Sequence, residues 1–228
     1  MSRSIAVVCV SGGLDSCVTV AIAAESHELA LLHVNYGQRT EARELRCFRA
    51  IADFYRVHRR LVVDLRHLSK IGGSALTDRT IPVPRGSLNR TGIPATYVPF
   101  RNASILSAAV AWAETIGARA VYIGAVEEDS SGYPDCRESF FDAFREVTRL
   151  GTRPVSKIKV ATPVVRMSKA QIVRKGLQLH APLHLTWSCY RSQRIACGKC
   201  DSCLRRKRAF ALAHAHDPVR YRGTGYGR

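Results

Sequence analysis

The sequence predicts an α/β protein, a Rossmann-like parallel sheet flanked by helices, on three observations. The chain carries short continuous apolar runs, first Ile5 to Val10 and then Leu29 to Val34, of the kind found in strands buried on both faces. Helix-compatible stretches separate these runs. Glycine-bearing turns close them, at Ser11-Gly12-Gly13, at Asn35-Tyr36-Gly37 and at Gly124. Strands that alternate with helices form βαβ units, and such units build parallel sheets. A length of 228 residues at 46% hydrophobic content suffices for one sizeable core.

The first strand, Ile5 to Val10, passes through its turn into a helix from Cys17 to Glu25. The second, Leu29 to Val34, leads to a long helix from Thr40 to Tyr55, and a third strand fits Arg60 to Asp64. From His67 to about Pro94 the chain is rich in Gly, Pro, Ser and Thr without a period, which predicts a long functional loop. A helix follows from Asn102 to Ile116, apolar on most sides, and Gly117 suits its C-terminal stop. Ala120 to Ile123 reads as a fourth strand, Glu138 to Leu150 as a helix, Val160 to Val164 as a short last strand, and Lys169 to Gln178 as a helix. A cysteine cluster and a terminal helix from about Leu204 close the chain, and the Gly/Arg-rich end from Arg220 to Arg228 is expected to fray. Residues 1–180 are expected to form the main domain, with 181–228 a cysteine segment and helix packed on it.

Lys and Arg number 35 against 18 Asp and Glu, a formal charge of +17. Such a surface attracts polyanions: nucleic acid, nucleotides or an acidic protein partner. The basic residues are spread along the chain, with clusters at Arg56 to Arg60 and Arg205 to Arg208, so charge does not by itself select among them. No apolar run reaches the roughly 20 residues of a membrane span. The start, Met1 to Ser4, has no signal-peptide layout. The expectation is a soluble cytoplasmic protein with no membrane contact.

Ser11-Gly12-Gly13-Leu14-Asp15-Ser16, with Val10 before it, sits between a predicted buried strand and a predicted helix. Two glycines let the backbone turn sharply and approach a ligand closely. Free N–H groups at the helix start, with serine hydroxyls on both sides, make an anion cradle. Asp15 would repel a bare phosphate, so its presence implies Mg²⁺ or a hydrogen-bonding role. Ligands bind at the carboxyl ends of such strands, which is where this turn falls. The turn is neither a Walker A loop nor G-x-G-x-x-G. It resembles the SGGxDS loop of the PP-loop ATP pyrophosphatases (adenine nucleotide alpha hydrolase-like), which hold pyrophosphate and transfer AMP to a substrate oxygen.

Three more stretches fall at strand ends on the same side. They are Tyr36-Gly37-Gln38-Arg39, Thr96 to Asn102 (TYVPFRN, with Phe100, Arg101 and Asn102), and Ser131 to Arg137 (SGYPDCR, with Tyr133, Pro134, Asp135 and Arg137). Arginine suits planar recognition of carboxylate or phosphate, and Asp and Asn suit the donor edge of a purine-like ring. Ordinary loop chemistry would account for each alone; their convergence on one rim points to a ligand site.

Of eight cysteines, four are scattered and four, Cys189, Cys197, Cys200 and Cys203, form a cluster. Thiolates at C-x₂-C spacing can wrap a tetrahedral ion, and four of them leave no open position. Zn²⁺ is the expected ion. An iron–sulfur cluster competes, but ferredoxin runs place Pro after the last Cys, where Leu204 stands here. Cys136 is expected to line the pocket without reacting.

Read together, SGGLDS, NYGQR, TYVPFRN, SGYPDCR and the cysteine set resemble the QueC family of 7-cyano-7-deazaguanine synthases, over residues 5 to about 221. The family departs here at Cys17, where Thr is usual, within Val126 to Ser131, and at Arg208, where Gly is frequent. The resemblance implies a ligase that uses ATP, Mg²⁺ and a structural Zn²⁺. Its substrates would be 7-carboxy-7-deazaguanine and ammonia. The carboxylate would be adenylated, ammonia would give an amide, and a second activation would give the nitrile. It also implies a homodimer. On this reading Ser11, Gly12, Gly13, Asp15 and Ser16 hold pyrophosphate and Mg²⁺, with Arg39 and Arg101 stabilising charge. The deazapurine would sit against Tyr133, Pro134 and Asp135, near Gln38, Phe100 and Asn102, with Arg137 by its carboxylate. Three other functions compete: a QueC-like enzyme that acylates an amine on an acidic protein partner, as in some antiviral operons, a tRNA-thiolating PP-loop enzyme, and a non-catalytic zinc module that binds nucleic acid.

Overall fold

The computed structural model describes residues 3–88, 92–127 and 132–223. Ser131 of the SGYPDCR stretch, positions 128–130 and the tail from 224 lie outside the described residues. Five parallel strands form one sheet: β1 (Ile5–Cys9), β2 (Glu28–Asn35), β3 (Arg60–Asp64), β4 (Ala120–Ile123) and β5 (Lys159–Ala161), in the order β3-β2-β1-β4-β5. The chain fills one side of β1 first and then crosses to the other. The crevice at the carboxyl ends of β1 and β4 is therefore a topological switch point, where ligands of such sheets bind.

Among the described residues, seven helices cover the faces: α1 (Leu14–Ala24), α2 (Glu41–Phe54), α3 (His67–Ile71), α4 (Arg101–Thr115), α5 (Glu138–Gly151), α6 (Lys169–Gln178) and α7 (Asp201–Leu212). Alternate residues of β1 enter two different cores. Val7 and Cys9 pack with Leu106 of α4 and Phe141 of α5, while Val8 and Val10 pack with Phe48 and Ile51 of α2 and Ile172 of α6. A third, smaller cluster joins Cys47, Ala75, Val83 and Trp187 to the cysteines at 189, 200 and 203. No helix among the described residues is long and apolar enough to cross a membrane.

Five expectations shift: α1 starts at Leu14 instead of Cys17, since the turn ends at Gly13, and the stretch expected as a long loop from His67 opens with the short helix α3. The last strand ends at Ala161 instead of Val164, because Pro163 has no N–H to continue the ladder and Val164 turns into the core. α7 starts at Asp201 instead of Leu204, so Cys203 lies within the helix and Cys200 caps it. The chain at Arg220 and Tyr221 is held: Ala196 N–H donates to Arg220 O at 3.1 Å, and Tyr221 donates its hydroxyl to Asp217 at 2.5 Å.

Candidate active site and metal centre

The phosphate loop is shaped by what its glycines touch. Gly12 has φ +81°, and a Cβ there would lie 2.6 Å from Glu44 O and 2.9 Å from Cys47 Cβ of α2. Gly13 is the N-cap of α1, and its N–H donates to Ser11 Oγ at 3.2 Å. The first intrahelical bond is Cys17 N–H to Gly13 O at 3.1 Å. The N–H groups of Leu14, Asp15 and Ser16 thus precede any helical acceptor and present the positive end of the helix to the crevice. The Ser11 and Ser16 hydroxyls lie 3.1 Å apart beside them.

Asp15 carries the charge logic of the site. Its Oδ2 pairs with Lys169 Nζ, the first residue of α6. Its Oδ1 is buried and, among the described residues, has no hydrogen-bond partner. A lone carboxylate oxygen next to an anion cradle fits a hard cation such as Mg²⁺, which Asp15 would hold. Lys169 escaped the sequence reading, but a signal was available. Ser168 and Gln171 form a capping box, which places Lys169 at the first helical position, where the helix dipole disfavours a cation.

From the loop a cleft of 260 Å³ extends across the strand ends. Val10, Ser11, Gly13, Leu14, Asp15 and Ser16 of the loop line it, together with Arg101, Asn102, Tyr133, Tyr36, Thr96 and Tyr190. Arg101 Nη1 donates to Tyr36 Oη at 3.0 Å, and its guanidinium carbon lies 5.4 Å from the Tyr36 ring centre. Tyr133 and Thr96 share a hydrogen bond of 2.8 Å. Burial pushes the Tyr36 hydroxyl up to about 12 and the Cys136 thiol up to about 11, so Cys136 lines the cleft as a neutral thiol.

The other sequence-predicted residues stand behind or outside this cleft. Asp135 is buried and caps α4: its Oδ2 accepts Asn102 N–H at 2.9 Å, while Asn102 Nδ2 donates to Asp135 O at 2.8 Å. Gln38 is buried, accepts Tyr36 N–H at 2.8 Å and donates to Glu44 at 3.0 Å, which holds the turn after β2. Arg39 donates to the carbonyls of Ala75, Asp78 and Ile81 at 2.6, 2.8 and 2.7 Å, binding the long loop to the sheet edge. Pro134 opens a 3₁₀ turn. Phe100, at φ +56° and 65% exposed, turns its ring to the edge of Phe140 instead of the cleft, and Arg137 is the exposed N-cap of α5.

Cys189, Cys197, Cys200 and Cys203 bring their four sulfurs within 4.8 Å of one another, a donor set that could hold a metal ion. Backbone N–H groups support them: Arg191 and Cys197 donate to Cys189 Sγ at 3.4 and 3.3 Å, and Lys199 to Cys197 Sγ at 3.5 Å. Hydrogen bonds from the Cys200 and Cys203 thiols, with those amides, hold Cys189 well below the ordinary thiol range. Gly198, at φ +69°, makes the knuckle turn. Trp187 links this site to the loop: its N–H donates to Gly12 O at 2.8 Å, its Nε1–H to Ser192 O at 2.9 Å, and Arg43 lies 4.4 Å over its ring.

Residues 5–214 match the family described as "Queuosine biosynthesis protein QueC". The chain is 59% identical over 217 residues to the 7-cyano-7-deazaguanine synthase of Chlorobaculum tepidum, covering 95% of this chain and 96% of that protein. It is 56% identical over 218 residues to the 7-cyano-7-deazaguanine synthase of Chloroherpeton thalassium, with the same two coverages of 95% and 96%. Among solved structures, the U34-tRNA thiolase NcsA from Methanococcus maripaludis with its 4Fe-4S cluster is similar at TM-score 0.51 and 11% identity, over 100% of this chain and 77% of that one. That last likeness is one of fold alone.

Proposed function

Because the chain belongs to the QueC family, we propose that it is an ATP-dependent carbon–nitrogen ligase converting 7-carboxy-7-deazaguanine and ammonia to 7-cyano-7-deazaguanine. The observation that carries this reading is the pairing of an anion cradle, with Asp15 Oδ1 left open beside it, to a phenol-lined cleft at the switch point. The N–H groups of Leu14, Asp15 and Ser16 and the two serine hydroxyls bind the phosphates of ATP. Mg²⁺, held by Asp15, would neutralise charge on the pyrophosphate. A substrate carboxylate oxygen attacks the α-phosphorus, and the bond to pyrophosphate breaks. Ammonia then adds to the acyl carbon and AMP leaves, giving the amide. A second adenylation, on the amide oxygen, followed by loss of AMP and a proton, gives the nitrile. The protein's share is orientation and fixed charge.

The four cysteines hold Zn²⁺ as a structural ion, since four thiolates leave no open position. All eight cysteines are free, which suits a reducing cytoplasm. Residues 1–180 are the nucleotide domain, with the cysteine segment and helix of 181–228 packed on it, a packing that the Gly12–Trp187 bond supports. The family resemblance adds a homodimer. Mass spectrometry of the enzyme with ATP, Mg²⁺, 7-carboxy-7-deazaguanine and ammonium tests the reading. Nitrile with AMP is the expected result; AMP-linked or amide species alone, or no AMP, would overturn it.

A further inference from the structure

Among the described residues four cations line the cleft: Lys169, Arg101 and, from α7, Arg205 and Arg206, the last paired with Asp217. Lys169 is on the α1 and α6 side and is paired with Asp15 at the phosphate loop. Arg101 is on the α4 side, and its environment differs. It begins α4, which packs on β1 and β4 in the opposite core layer. The only hydrogen bond its guanidinium makes among the described residues is to Tyr36 Oη, and no carboxylate there lies within ion-pair distance. Asp135, the nearest carboxylate in the chain order of this rim, gives its Oδ2 to the N–H of Asn102. A guanidinium carries five N–H donors in a planar fork, and one is used here. Tyr36, Tyr133 and Tyr190 surround it with ring faces and hydroxyls. A cation so placed matches a flat aromatic ligand that carries its own carboxylate.

We propose that Arg101 is the receptor for the substrate oxygen that becomes activated, and that it separates the acid and amide forms of the ligand from the nitrile. This rests on the reading of the function given above. The carboxylate offers two oxygens and a negative charge, so it takes two N–H groups of the fork. The amide offers one neutral oxygen and takes one. The nitrile has no oxygen and a linear group that cannot face the fork side-on, so it loses the anchor and leaves. Arg137, exposed at the start of α5, has no part in this contact.

The test is equilibrium binding, without turnover, of the 7-carboxylate, 7-carboxamide and 7-nitrile of 7-deazaguanine to the native protein, Arg101→Met and Arg101→Lys, with ATP binding measured alongside. For Arg101→Met the expected result is a loss of about 10- to 100-fold for the carboxylate, a smaller loss for the amide and less than about 2-fold for the nitrile, from the usual strength of charge-assisted hydrogen bonds. Arg101→Lys keeps the charge and loses the fork, so it retains part of the carboxylate preference. ATP affinity stays unchanged in both. Equal losses for all three ligands, unchanged carboxylate affinity, or a loss confined to ATP would each overturn the proposal. If Arg101→Met does not fold, the ratio of carboxylate to nitrile affinity in Arg101→Lys decides, and an unaltered ratio overturns it. Failure of the native protein to bind any of the three ligands would instead refute the underlying reading of the function.

Discussion

At the cysteine knuckle, Cys189 Sγ takes N–H bonds from Arg191 and Cys197, Cys197 Sγ takes one from Lys199, and Trp187, Ala196 and Val83 pack around the sulfurs. At the phosphate loop, 175 positions or so away in sequence, three backbone N–H groups lack a helical acceptor and Asp15 Oδ1 lacks any partner among the described residues. The first region is closed, its sulfurs gathered, packed and taking backbone N–H bonds. The second is held in place by its surroundings while its own polar groups stay open. A site that must bind and release a charged ligand at each turnover keeps such groups unsatisfied, and the closed region supplies the rigidity that makes this tolerable.

The largest effect comes from opening the closed region. Cys200→Ser should lower bound zinc from one per chain to about zero and leave no cooperative melt. Structural zinc contributes on the order of 10 kcal/mol, about the whole stability of an ordinary domain. Zinc content with circular dichroism on heating measures this, and a folded, zinc-free Cys200→Ser protein would end the comparison as drawn. Next is the frame of the open region. Gly12→Ala meets Glu44 O and a left-handed φ, so it should cost about 2 kcal/mol or more and abolish ATP binding while the zinc stays bound.

Asp15→Asn sharpens the contrast further. It should reduce turnover by about 100-fold, the usual scale for one charge-stabilising group, yet shift stability by only about 1–2 kcal/mol, because losing the part-buried Lys169 pair is offset by removing a buried charge whose Oδ1 has no partner among the described residues. Steady-state kinetics and urea unfolding separate the two effects. The smallest effect follows from the cleft thiol. Burial raises Cys136 from its ordinary value of 9.0 to about 11, so its contribution to stability is fully present below pH 9 and fades as pH rises through 11. Other buried thiols, Cys9 and Cys17 among them, lose stability over the same range, so the test is the difference: between pH 8 and pH 10 urea titrations should show the native protein losing about 1 kcal/mol more than Cys136→Ala.

How far the sequence could be read differs between these regions for a physical reason. The cysteine quartet spans 15 positions, and β1 with its loop spans about a dozen, so both are local patterns with a mechanism attached to their spacing. The order of strands and helices was legible too, because buried parallel strands are continuous apolar runs. Lys169 was not, since it reaches Asp15 across 154 positions and nothing local announces the partner. Trp187 and Tyr190 were missed alike. Arg39 and Gln38 have the residue types of a binding rim, but their polar atoms are taken by loop carbonyls and by the turn after β2. Residue type records what a side chain can bind; only the fold records which acceptor it meets first.

The bond from Trp187 N–H to Gly12 O has a consequence for how the protein is made. The loop leaves the ribosome early, whereas its tether is synthesised roughly 10 to 35 seconds later at about 5–20 residues per second. During that interval the glycine turn has β1 and α1 but lacks the segment that fastens it. A nascent or prematurely terminated chain would therefore carry the whole SGGLDS signature and still lack a finished nucleotide site. The fastening of the glycine turn thus arrives only with the last fifth of the chain.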